Sequence, residues 1–209
     1  MEAIFFDFDG VIIDSEPVMR IAFAEAYRIH YGEDSECPIE EYLKHTGHSF
    51  PRIMQKMGLT TELFEDFRRV SINNMDKIKL FPGIIDVIIN CKKNDQKLAL
   101  ITGKDSARTI QILKKFELYQ YFDLLICSDM VKNPKPNPES IYRALNYFNI
   151  KSNQAIMIGD SLYDIVCAQR ASVSTIAVLW GVEKNQSLFE GIGADHIVQV
   201  PNELLKLIA

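Results

Sequence analysis

The chain has 209 residues, 47% of them hydrophobic and 24% charged. That is enough for one sizeable core, or a core with a small inserted unit, and it excludes disordered and fibrous classes. Formal net charge is −5, without the basic tract of a nucleic-acid or anionic-membrane surface, so neither is an expected partner.

From the start of the chain, Ala3–Phe8 is a compact apolar run and predicts a first strand. No basic segment followed by a long apolar stretch accompanies it, and no run reaches the roughly 18–20 apolar residues of a membrane span. The segment from about Ser15 to Leu80 then predicts helices only, at Pro17–Tyr31, Ile39–Lys44, Arg52–Lys56 and Thr61–Lys77, and Phe81-Pro82-Gly83 closes it. Beyond it, apolar runs at Leu98–Thr102, Leu124–Cys127, Ala155–Ile158 and Thr175–Leu179 alternate with helical patterns such as Ser106–Phe116 and Pro138–Phe148. Glu203–Ile208 reads as a closing helix. Strand and helix in alternation predict an α/β core, a Rossmann-like parallel sheet with helices on both faces. The helical block predicts an all-helical cap inserted into it, which divides the chain into a core of residues 1–14 and 81–209 and a cap of residues 15–80. Cys37, Cys91, Cys127 and Cys167 lack metal-ligand spacing. They read as free thiols of a cytoplasmic protein.

Polar signals follow four of the strands. Asp7-Phe8-Asp9-Gly10-Val11 comes directly after the first. Alternation along an extended chain sends Asp7 and Asp9 the same way, at the strand end where open α/β sheets bind ligands. Two such carboxylates repel and call for a cation, although Asp-x-Asp-Gly alone reads equally as a solvated turn. Thr102-Gly103 offers a hydroxyl and a bare backbone amide to phosphate oxygens, or is an ordinary turn. Lys135 lies among Pro134, Pro136 and Pro138 on a stiffened loop. Asp160 and Asp164, four apart in Gly159-Asp160-Ser161-Leu162-Tyr163-Asp164, provide with Asp7 hard oxygen ligands suited to Mg²⁺. Singly, Asp160 would serve as a helix N-cap and Asp164 as a first-turn acid.

In this order the four signals resemble those of the haloacid dehalogenase superfamily, in the branch with a helical cap, which includes beta-phosphoglucomutases and phosphoglycolate phosphatases. The resemblance covers essentially the whole chain. It implies Asp7 as nucleophile and Asp9 as acid and base, with its main-chain carbonyl on the metal. It also implies Asp160 as a Mg²⁺ ligand, Asp164 as a ligand directly or through water, and Thr102, Gly103 and Lys135 as binders of the transferring phosphoryl group. Metal ligands would thus be Asp7, Asp9, Asp160 and Asp164.

Asp9 argues against dehalogenation, because an alkoxide leaving group needs a proton donor and a halide does not. A sugar-phosphate mutase is the closer alternative. Mutases of this shape carry a histidine and an arginine in the cap, where this chain has Met19 and Phe50, so hydrolysis of a small phosphorylated metabolite is the expectation. A non-catalytic binding protein would have lost some of these acids. The cap should select the substrate, with Glu16, Lys44 and His48 (and His45 beside them) as candidate contacts. The expected state is a monomer or weak dimer.

Overall fold

The computed structural model describes residues 1–181 and 183–208. Among them, β1 (Ala3–Phe6), β4 (Lys97–Ile101), β5 (Leu124–Ile126), β6 (Ala155–Gly159), β7 (Ser174–Val178) and β8 (His196–Val198) form one parallel sheet. Its order is β5-β4-β1-β6-β7-β8. Every residue of β1 and β6 is buried. This is why these strands read as continuous apolar runs, with both faces covered by helices. Alternation divides β1 cleanly between the two covering layers. Ile4 and Phe6 pack with Val87 and Ile88 of α5 (Ile84–Lys93) and with Ile112 and Leu113 of α6 (Ser106–Lys115). Ala3 and Phe5 pack with Ile141 and Leu145 of α7 (Glu139–Phe148) and with Cys167 of α8 (Leu162–Gln169). The α/β core with its helical cap is the architecture that the alternation of apolar runs indicates.

The central position of β1 decides where chemistry can occur. It pairs with β4 on one side and β6 on the other, Phe6 opposite Leu100 and Ile158. The residues leaving the carboxyl ends of all three strands therefore converge.

Between β2 (Ile13–Asp14) and β3 (Lys79–Leu80) lie the helices α1 (Glu16–Tyr31), α2 (Ile39–Lys44), α3 (Phe50–Met57) and α4 (Leu63–Asn73). The two short strands are antiparallel partners, with Ile13 opposite Leu80. The four helices enclose a core of their own. Phe23, fully buried, stacks on Tyr42 with ring centroids 4.2 Å apart, and Phe50, Phe67, Met54 and Leu63 complete it. The structure departs from the sequence expectation in two places. β2 and β3 have two residues each, and β8 has three, too few for periodicity to register. The first strand likewise ends at Phe6, because Phe8 O accepts from the amides of Ile12 and Ile13 in a tight turn. No helix among the described residues is long and apolar enough to cross a membrane.

Truncating Phe23 to Ala removes the ring at the centre of the cap core. It should destabilise the protein by about 3–5 kcal/mol, as for other buried aromatic truncations, read from urea denaturation. A loss below about 1 kcal/mol would mean that these helices do not pack as a unit.

Candidate active site

Asp7 continues β1 into the turn. Its amide bonds Ile158 O of β6 at 2.9 Å, and its side chain is almost fully buried. Asp160 and Asp164 arrive from the end of β6 and the first turn of α8, and one carboxylate oxygen from each of the three lies within 4.8 Å of the others. The N-cap of α8 is Ser161 and not Asp160. Ser161 and Asp164 form a reciprocal capping box, in which Asp164 Oδ2 accepts from the Ser161 amide (3.2 Å) and hydroxyl (2.6 Å). Gly10 has φ +80°, and a side chain there would overlap the Asp160 carboxylate. Only glycine both adopts that turn and leaves the acid its space.

Lys135 reaches into this cluster from the loop before α7. Its ammonium donates to Asp7 Oδ1 at 2.9 Å, to Asp164 Oδ1 at 2.5 Å and to Ile101 O at 3.2 Å, satisfying all three donors. Burial, and then the like charge of Asp164, raise the Asp7 carboxyl to about 7 against the pull of Lys135. Burial works to lower Lys135, but the carboxylates of Asp164 and Asp7 outweigh it and hold the ammonium above its usual range. The donor set suits a hard divalent cation, because buried carboxylates this close are otherwise strained by mutual repulsion.

Asp9 and Asp7 line one cavity, together with Thr102, Gly103, His48, Met19 and Phe50. Thr102 is buried at the end of β4, and its hydroxyl accepts from the Lys104 amide at 3.1 Å. Two neighbours of Asp9 carry no periodic signal and escape a reading of the sequence. The Ser15 hydroxyl donates to Asp9 Oδ1, and the buried Lys104 ammonium lies 3.1 Å from the same oxygen. The triplet Thr102-Gly103-Lys104 was the available clue, since it places a cation on the same turn as Thr102 and Gly103.

The cap candidates separate. Among them, only His48 lines the cavity above Asp7. Lys44 is exposed and paired with Glu41 at 3.0 Å, and Glu16 pairs with Arg20 at 2.8 Å. Both line a different cleft that opens beside Asp160 and Tyr163. His45 pairs with Glu41 at 3.1 Å. The helical turn of α2 explains this outcome, because it brings residues 44 and 45 back towards Glu41 rather than across the cleft.

A family model described as haloacid dehalogenase-like hydrolase matches residues 4–178. The chain belongs to that family. Among relatives of these hydrolases, “Putative pyrophosphatase PpaX” of Caldanaerobacter subterraneus subsp. tengcongensis is 28% identical, over 99% of this chain and 94% of that protein. A crystal structure titled as a predicted phosphatase from Clostridium acetobutylicum superposes with a TM-score of 0.86 at 26% identity, covering 99% and 97% of the two chains. Another, titled “putative beta-phosphoglucomutase” from Thermotoga maritima, gives 0.77 at 25% identity, covering 100% and 98%.

In this hydrolase the cap meets the core through His48. Its Nδ1 donates to Lys135 O at 3.0 Å, and its ring stacks on Tyr163 with centroids 3.6 Å apart. The loop presses so closely that a Cβ at Gly103 would stand 2.7 Å from His48 O. Burial lowers the imidazole to about 4. Unfolded, the ring takes up a proton near 6.5 and, folded, only near 4. The unfolded state therefore binds more protons in between, and stability drains away as pH falls through that window. Replacing His48 by Gln should flatten the fall, and the difference between the two proteins should reach up to about 3 kcal/mol near pH 4. Parallel stability curves for both, from denaturant titrations at pH 7 to 4, would show that His48 takes up its proton as readily folded as unfolded.

Proposed function

We propose that the protein is a Mg²⁺-dependent phosphatase that hydrolyses a small phosphorylated metabolite through an aspartyl-phosphate on Asp7. The observation that carries this reading is the buried Asp7 carboxylate, ringed by Asp160, Asp164 and Lys135, with Asp9 beside it in one cavity. Asp7 attacks phosphorus, and the bond from phosphorus to the leaving oxygen breaks. Asp9 gives that oxygen a proton, then takes one from the water that attacks the phosphorylated Asp7, and inorganic phosphate departs. Thr102, the Gly103 amide and Lys135 hold the phosphoryl oxygens.

The residues that would hold the metal are Asp7, Asp160 and the main-chain carbonyl of Asp9. Asp164 has one oxygen on Lys135 and the other on Ser161, an arrangement that suits orientation of the site better than direct ligation. Bound Mg²⁺ supplies positive charge against the phosphoryl oxygens.

Phosphatase is favoured over mutase by the cap. Met19 and Phe50 are buried in the cap core and present only apolar surface to the cavity. Neither can grip the second phosphate that a mutase must hold, so water is the acceptor. The name of the relatives makes pyrophosphate a first substrate to assay alongside small phosphate esters. A soluble cytoplasmic location without nucleic-acid or membrane partners, and a monomeric or weakly dimeric state, complete the reading. The cap of residues 15–80, hinged on the core at the β2–β3 pair, would admit substrate and then exclude bulk water.

Asp7→Asn keeps the size of the side chain and removes the attacking charge. Phosphate release should fall by several orders of magnitude, and a folded variant with near-normal turnover would refute the assignment. The metal is testable without turnover. Asp7 holds its proton up to about pH 7 when no cation is bound, which favours the folded state at acid pH and is lost as pH rises through 7. Mg²⁺ needs the carboxylate, so it competes with that proton. Added Mg²⁺ should raise the thermal midpoint more at pH 8 than at pH 6, and EDTA should reverse the gain. An equal shift at both values would remove Asp7 from the ligand set.

A further inference from the structure

Lys104 stands two residues beyond Thr102, buried, on the wall of the cavity that contains Asp7 and Asp9. The other cations near the reacting centre are committed elsewhere. Lys135 donates to Asp7, Asp164 and Ile101 O and serves the transferring phosphoryl group rather than the leaving group. Arg108 bonds Asp105 Oδ2 through Nε at 2.5 Å and lies 5.0 Å above the ring of Phe67. Lys104 instead faces the carboxyl that must turn towards the leaving group. Its ammonium is 3.1 Å from Asp9 Oδ1, and Asp9 is the carboxyl that must address the leaving oxygen. A leaving group placed beside Asp9 consequently brings its next atoms within hydrogen-bond reach of Lys104. Once Asp9 turns to that oxygen, the ammonium needs a new counter-charge, because an unpaired buried ammonium is costly. The rest of the cavity wall is largely apolar, with Met19, Tyr42, Phe50, Ile53 and Phe67, and the other acids close by, Asp7 and Asp105, are already paired with Lys135 and Arg108.

We infer that Lys104 is a specificity-determining residue that selects phosphate compounds whose leaving group is itself a small oxyanion. With the cap as it lies here the cavity has about 40 Å³ of free room, equivalent to only about three or four water sites, which favours a compact leaving group. Two chemistries satisfy this: a second phosphate joined through an anhydride oxygen, or a carboxylate one or two carbons from an ester oxygen. The inference rests on the phosphatase reading above and adds to it the charge of the leaving group.

The test compares kcat/KM for pyrophosphate, 2-phosphoglycolate and ethyl phosphate, the last with a neutral leaving group of similar bulk, all with Mg²⁺. Wild-type protein should favour at least one anionic compound over ethyl phosphate by about 10- to 100-fold, the range of one charge-assisted hydrogen bond. Which of the two is favoured identifies the oxyanion. In Lys104→Met and Lys104→Gln that ratio should fall to within about threefold, mainly through KM, while Lys104→Arg retains most of it. A ratio unchanged in Met and Gln variants, or equal losses on all three substrates, would overturn the role given to Lys104. Wild-type protein that releases phosphate from none of them would overturn the phosphatase reading instead.

Discussion

Three carboxylates cannot be buried within 4.8 Å of one another unless something positive stands among them. Lys135 is the part of the answer that the chain itself supplies. Its ammonium bridges Asp7 and Asp164 from the loop between β5 and α7, and much of the surrounding architecture keeps it there. Charges this close in a poorly solvated site interact strongly, and the loss of one partner leaves the others uncompensated. The sheet order places the ends of β4, β1 and β6 side by side. The His48 ring then covers the backbone of Lys135 itself. Site and fold are in this sense a single electrostatic problem, and a divalent cation would complete its solution.

Much of this could be read in advance, for identifiable reasons. A strand buried on both faces has to be continuously apolar, so the four polar signals stood out at the ends of their runs. Asp7, Thr102 and Asp160 announced themselves in that way. Ser161-Leu162-Tyr163-Asp164 also carried the spacing of a capping box, which explains why Ser161 and not Asp160 caps α8. The paired crossings β2 and β3 and the edge strand β8 were too short to leave a pattern.

The partners of Asp9 were hidden for another reason. Lys104 and Asp9 lie 95 positions apart, and their contact exists because β1 and β4 are neighbours with Phe6 opposite Leu100. Register decides such contacts, and register is set only when the sheet forms. The same holds for His48, whose hydrogen-bond partner is 87 residues away. Lys44 shows the converse, a charged residue on a cap helix whose sequence neighbourhood does not say which cleft it borders. It is exposed, pairs with Glu41 and lines the cleft beside Asp160 and Tyr163 rather than the cavity that holds Asp7.

The seam between cap and core sets its cations against rings and neutral oxygens rather than against carboxylates. The His48 imidazole meets the Lys135 carbonyl and the Tyr163 ring, the bare backbone of Gly103 lies against the loop above it, Lys56 stands over Tyr163, and the Arg108 guanidinium packs on Phe64, Phe67 and the Ser71 hydroxyl. The ion pairs of the cap exterior, such as Arg20 with Glu40, lie largely in water. Dissolved salt screens exposed ion pairs far more than cations held against rings and neutral acceptors in a buried joint. The latch should therefore respond less to ionic strength than the charged exterior of the cap does.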